Sequence, residues 1–215
     1  MIVKMGQNWK LDRMIRLECS PSTNLDLKKL DEIGNVEGGS VLIAETQTAG
    51  RGRFDRKFSS PKGGLYYSYL MVIEDFGDEL LEITPMVGVA ARRAVYRTCY
   101  VAADIKWPND LLVSGKKICG ILAESRTVNS SEIHIVIGIG INANTELSDI
   151  AEEYRDTADT LKNITGREID MELLIRCLTD ELDRLGEALT KGETEDYLEE
   201  YRAICVNPGD EIVKL

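Results

Sequence analysis

The sequence is short of residues on which many enzymes depend. Histidine occurs once in 215 residues, as His134 inside an alternating apolar run. That leaves almost no room for a histidine-rich metal site or a serine–histidine–aspartate triad. Cysteine occurs five times, as Cys19, Cys99, Cys119, Cys177 and Cys205, an odd and widely spaced set with no CxxC pair. Neither a disulfide framework nor a zinc site is signalled, and buried thiols are expected. No apolar run reaches the ~18 residues of a membrane-spanning helix, and the charges scattered through MIVKMGQNWKLDRMIRLE break the apolar block of a signal peptide. A cytoplasmic protein with no membrane partner is the expectation. Positive charge is the scarcer sign, with 26 lysines and arginines against 37 acids and a net charge of -11. Duplex DNA repels such a chain unless one patch dominates. Neither a GKS or GKT phosphate loop nor the Rossmann glycine pattern is present.

One short segment is nevertheless locally rich in positive charge. The segment QTAGRGRFDRKFSSPKGG, residues 47–64, holds Arg51, Arg53, Arg56, Lys57 and Lys62 together with Gly50, Gly52, Gly63 and Gly64. VLIAET before it and LYYSYLMVI after it read as strands, so the segment is a long loop between them. Loops of this length carry function or are disordered. The glycines let backbone amides approach an anion, and the arginines offer planar forks to phosphate or carboxylate. An RNA-binding arginine segment and a merely solvated basic loop are the competing readings of the same composition.

The length and the 43% hydrophobic content suit one domain of ordinary to large size. Ser22, Thr23 or Asn24 can cap a helix through LDLKKLDEI that Gly34 ends. Further helices are expected over residues 83–98, where Ala90, Ala91 and Ala94 allow close packing, and over 170–190 and 194–201. Between them runs a meander, DIKWPNDLLV, a turn at Ser114 and Gly115, KKICGILAES and EIHIVIGIGINAN. A last strand is expected within NPGDEIVKL. By alternation Ile133, Ile135, Ile137, Ile139 and Ile141 face a core, while His134, Val136, Gly138, Gly140 and Asn142 face the other way. Two glycines in succession leave bare backbone, suited equally to a ligand or to a closely packed helix. Gly120 in the neighbouring strand favours a ligand. Lys117, three residues earlier, faces the opposite side of a regular strand, so the two serve one pocket only if the strand bulges or the lysine reaches around the sheet end. In KWPND, Pro108 ends a strand, and Lys106, Asn109 and Asp110 project there. Asp110 is the best candidate ligand for magnesium, although Asn109 and Asp110 taken singly read as turn formers.

Together, STN at 22–24, QTAGRGRFDRKFSSPKGGLYYS at 47–68, KWPNDLL at 106–112, KKICGIL at 116–122 and GIGINAN at 138–144 resemble the biotin protein ligases. The motifs follow that family's order and spacing over residues ~20 to ~165. The resemblance implies an α+β fold, a mixed and mostly antiparallel sheet flanked by helices, of the class II synthetase-like biotin/lipoate ligase type. It implies a catalytic domain over residues 1–203, with 204–215 the remnant or start of a C-terminal SH3-like β domain. It implies a biotin--[biotin carboxyl-carrier protein] ligase, a protein-modifying enzyme that uses ATP and Mg2+ to make biotinyl-5'-AMP and transfers biotin to one lysine of a biotin carboxyl carrier protein. By motif, Lys117, Arg53 and Arg51 carry the catalytic charge. Ser22, Thr23, Asn24, Gln47, Gly50, Gly120, Gly138 and Gly140, with Arg51 and Lys117, form the biotin side. Arg53, Arg56, Phe58, Lys106, Asn109 and Asn142 form the nucleotide side, and Asp110 assists Lys106 or magnesium.

Two departures from the family pattern stand out: Asp55 replaces a usual glycine, and the sequence ends at Leu215, about where the barrel begins. Residues ~48 to ~58 are expected to be mobile when empty and to order over the adenylate, excluding water. Only ~20 residues precede STN, too few for a helix-turn-helix, so no DNA partner is expected. Exposed strand edges in the meander would suit a homodimer. The alternatives are a lipoate or octanoate protein ligase on the same fold and a non-catalytic biotin-binding protein.

Overall fold

The computed structural model describes residues 13–74 and 78–206. The strands are β1 (Met14–Ser20), β2 (Val41–Gln47), β3 (Leu65–Glu74), β4 (Asp104–Lys106), β5 (Asp110–Val113), β6 (Lys116–Asn129), β7 (Glu132–Ile141) and β8 (Cys205–Val206). They form a single sheet in the order β1-β2-β3-β7-β6-β5-β4-β8. The pairs β1–β2 and β4–β8 are parallel and the rest antiparallel. The helices are α1 (Thr23–Glu32), α2 (Ile83–Cys99), the single turn α3 (Leu161–Thr165), α4 (Met171–Lys191) and α5 (Glu195–Ile204). The expected α+β class, mixed and mostly antiparallel, is the one observed. Edge strands β1 and β8 and the short α3 are additions to the elements read from the sequence. The expected strand over NPGDEIVKL lies outside the described residues.

The alternation of β7 decides how the layers stack. Its five isoleucines enter one large core with α2 and α4, where Ala90, Ala91 and Ala94 are fully buried and bring α2 close to the sheet. On the other face Val136 joins Leu27 of α1, Leu42 and Leu70 in a small second core. One face of the sheet is therefore covered by α2, α4 and α5. The other is covered only in part, by α1, and the uncovered part is where Gly138 and Gly140 lie.

Helix α1 begins at STN but is not capped as the sequence predicts. Ser22 occupies the N-cap position with extended backbone, yet its side chain makes no capping bond. The Thr23 amide instead donates to Gln47 Oε1 at 2.9 Å. A side chain from β2 thus satisfies a helix donor that would otherwise be orphaned, and fixes the helix start against the sheet. Buried thiols are found at Cys99, Cys119 and Cys177, whereas Cys19 is exposed on β1 because that strand is an edge. Among the described residues no helix is long and apolar enough to cross a membrane.

Candidate active site

The site is laid out by cross-strand register. Asp110 pairs with Gly120, Gly120 with Gly140, and Gly140 with Tyr66, so one row crosses β5, β6, β7 and β3 on the α1 side of the sheet. The next row is Leu122, Gly138 and Ser68. Above these rows lies a cavity of ≈ 520 Å³, within the range of small-molecule sites. Its lining includes six cations, Arg51, Arg53, Arg56, Lys57, Lys106 and Lys117, and a single carboxylate, Asp110. In a chain of net charge -11, this is a local inversion of sign suited to a multiply charged anion.

Lys117 reaches this face through a bulge. Leu111 pairs with Cys119 but Leu112 with Lys117, so β6 carries one extra residue, Ile118. Ile118 and Cys119 are both buried in the helix-side core, and Lys117 is turned onto the same face as Asp110 and Gly120. Its Nζ lies 2.7 Å from Asp110 Oδ1 and close enough to Gly120 that a β-carbon there would stand 3.0 Å from it. The displaced backbone of Lys117 bonds to the 157–159 segment, its amide donating to Thr157 O at 2.8 Å and its carbonyl accepting from the Asp159 amide at 2.9 Å. The condition that the sequence set for Lys117 and Gly120 to share a pocket is met. Burial pushes the Cys119 thiol well above its ordinary range, which keeps it an inert core group.

The three strand glycines do not all leave open space. A β-carbon on Gly138 would stand 2.2 Å from Asn24 Oδ1, and one on Gly140 2.5 Å from the Phe58 ring. Gly138 therefore admits the side chain of Asn24. Phe58 comes down from the basic loop onto Gly140 and Gly120, meeting Tyr66 edge-on at 6.4 Å between ring centres. Burial raises the pKa of Tyr66, whose hydroxyl donates to Pro61 O. The loop itself turns through Phe54, a non-glycine residue at φ 54°, and closes with a bridge between Arg51 and Lys57.

Most of the residues expected at the site come together there. Ser22, Thr23, Asn24, Gln47, Phe58 and Asn109 line the cavity, as do Gly120, Gly138 and Gly140. Asn109 also donates its amide to Ile121 O at 2.9 Å. Two expected residues lie outside the lining. Gly50 is packed under the loop, where a β-carbon would stand 2.4 Å from Phe58 O, so its bare backbone serves the loop's own fold. Asn142 donates its amide to Asp159 O at 3.1 Å and its carbonyl accepts from the Leu161 amide at 2.9 Å, which spends it on holding the 157–161 segment. Asp110 is engaged by Lys117, and among the described residues no group of three or more acidic, histidine or cysteine side chains could hold a metal.

Residues 17–142 match the biotin/lipoate A/B protein ligase family, over the segment that supplies β1 to β7 and nearly all of the cavity. The chain belongs to this family. Among curated relatives, it is 35% identical over 137 residues to the bifunctional ligase/repressor BirA of Bacillus subtilis, covering 63% of this chain and 42% of that protein. It is 33% identical over 130 residues to the biotin--[acetyl-CoA-carboxylase] ligase of Paracoccus denitrificans, covering 59% of this chain and 52% of that one. The chain spans about half the length of these curated relatives. Among solved structures, the biotin protein ligase of Aquifex aeolicus in complex with biotin and ATP superposes with a TM-score of 0.78 at 30% identity, over 91% of this chain and 79% of the other.

In this family member, sequence reasoning missed several residues that hold the site in shape. Ser68, fully buried on β3, donates its hydroxyl proton to Asn24 Oδ1 at 2.6 Å, and its oxygen lies 2.8 Å from Thr23 Oγ1. Ser60 accepts from Gln47 Nε2 at 2.9 Å and donates to Phe58 O at 3.0 Å. Glu124 accepts from Arg51 at 3.1 Å. A serine in a strand and a glutamate in a charged stretch carry no distinctive local signal. Only their parity with Gly138 and Gly120 could have placed them on the cavity face.

Proposed function

We propose that this chain activates biotin with ATP to biotinyl-5'-AMP and transfers the biotinyl group to a lysine of a biotin carboxyl carrier protein. The observation that carries the reading is the cavity charge, six cations against one carboxylate. A biotin carboxylate oxygen must attack the α-phosphorus of ATP while the bond to the pyrophosphate leaving group breaks. Two anions approach only where fixed positive charge offsets their repulsion, and positive charge already in place costs no reorganisation at the moment of reaction. In this scheme Lys117 and Arg51 hold the carboxylate, Arg53 and Arg56 the phosphates, and Phe58 with the glycine row screens the adenylate from water. In the second step the carrier lysine amine attacks the acyl carbon, AMP leaves with the bonding electrons and the amine gives up its proton.

Magnesium enters this reading with the nucleotide. One carboxylate, engaged by Lys117 at 2.7 Å, suits an ion held mainly by ATP phosphates and water, with Asp110 as its single protein oxygen ligand. The motif relatives named for biotin favour biotin over lipoate or octanoate as the acid.

The test is pyrophosphate release with ATP, magnesium and either biotin or octanoate, followed by mass spectrometry of the ligand retained. Retained biotinyl-AMP that is discharged by a biotin carrier domain is the expected result. Octanoyl-AMP alone would move the assignment to lipoate-type attachment. Tight biotin binding with no adenylate would move it to a non-catalytic binding protein.

A further inference from the structure

We propose that Glu124 is a positioning residue for the basic loop, an inference that rests on the biotin-activating reading of the cavity. Glu124 lies on β6 with the same parity as Gly120 and Leu122, at the edge of the cavity face. Its two carboxylate oxygens serve different elements. Oε1 accepts from Arg51 Nη1 at 3.1 Å, and Oε2 accepts from Asn24 Nδ2 at 3.1 Å.

Asn24 is fully engaged. Its Oδ1 accepts from Ser68, and its amide donates to Leu122 O at 3.1 Å and to Glu124. The pattern of acceptors around it fixes which way its amide points. Asn24 in turn fills the space left by Gly138. A continuous chain, Ser68 to Asn24 to Glu124 to Arg51, thereby ties the first turn of α1 and the floor of the cavity to the basic loop.

The placement of Glu124 has an electrostatic cost. A carboxylate beside Arg51 lowers the positive potential that attracts an anion, so a site selected for charge alone would not keep one there. Its return is geometric. Arg51 is 40% exposed on a long side chain with many rotamers, and a charge-assisted bond from a strand residue holds it at the cavity before any ligand arrives. Lys117 is held in the same manner by Asp110 at 2.7 Å, so the two cations assigned to the carboxylate are the ones given fixed partners.

The two roles predict opposite results for Glu124→Gln. If Glu124 positions Arg51, the KM for biotin in pyrophosphate release rises about tenfold with kcat changed less than about threefold, as expected for loss of one charge-assisted bond. Glu124→Asp, which keeps the charge, recovers part of the loss. In an Arg51→Ala background Glu124→Gln has no further effect on KM. In the ligand-free protein, trypsin cleavage within residues 51–57 becomes about tenfold faster in Glu124→Gln, the same bond now being absent from the resting loop. An unchanged or lowered KM, additivity with Arg51→Ala, or unchanged trypsin cleavage would each overturn the proposal. The protease arm needs no substrate. If the wild type releases no pyrophosphate with any acid, faster cleavage sustains the role of Glu124 in the loop while the reading of the reaction fails.

Discussion

Arginine is used in two ways in this molecule. In the helix layer Arg92 and Arg93 share Glu200, with contacts of 2.9 and 2.6 Å, and Arg93 also lies over the Tyr197 ring at 4.5 Å. Arg97 and Arg184 share Glu181 at 2.7 and 2.8 Å, and the Glu181 side chain is only 2% exposed. Arg92, Arg93 and Arg97, all on α2, fasten it to α5 and α4. In the basic loop, Arg53 faces Phe54 at 5.0 Å, and neither Arg53 nor Arg56 has a carboxylate partner among the described side chains. The helix-layer arginines are neutralised where they build the fold, whereas in the loop only Arg51 has a carboxylate partner, Glu124, and Arg53 and Arg56 are left available where an anion is to bind. Composition alone cannot separate the two uses, because the difference lies in where acids from distant parts of the chain arrive.

The contrast can be broken most severely at Lys117. Lys117→Ala should lower the rate of pyrophosphate release about 10³-fold, since it removes positive charge from the place where negative charge develops. Its melting temperature should stay close to wild type, and stopped assays with thermal scans would check both. Arg53→Ala should cost about 10²-fold by the same argument, again with little change in melting temperature. A fall in stability equal to that of a helix-layer arginine would erase the distinction between the two populations.

A smaller effect is expected at the sheet. Gly140→Ala places a β-carbon 2.5 Å from the Phe58 ring, and the loop must lift to accommodate it. Calorimetric affinity for biotin or ATP should weaken about tenfold, because a misplaced wall costs complementarity. The smallest effect should come from the helix layer. Arg97→Ala leaves Glu181 with Arg184 alone and should cost about 1–2 kcal/mol, discounted because Arg97 is partly exposed. That corresponds to a drop of about 2–8 °C in melting temperature for a domain of this size, with kcat and KM unchanged.

Much of the architecture was legible because it rests on local periodicity. The five isoleucines of β7, the small alanines of α2 and the Ser114–Gly115 turn each follow from the chain's own pattern, and the structure places them as that pattern requires. The ligand-sized space beside Gly138 and Gly140 was legible as bare backbone, but its occupants were not. Asn24 and Phe58, from α1 and the basic loop, fill it in part. Gly50 and Asn142 carried family motifs, yet their contacts turn them inward to the loop and to the 157–161 segment.

By itself, the sequence determined most of the strands and the longer helices, the face of β7 that is core, and the local enrichment of positive charge in one loop, because each depends on neighbours along the chain. Tertiary structure decided the bulge that brings Lys117 beside Gly120, the use of Gln47 to cap α1, and the bridge that Glu124 makes between Asn24 and Arg51. Each of these depends on which backbone or side-chain group a second element presents, and that is fixed only when the sheet pairs in register.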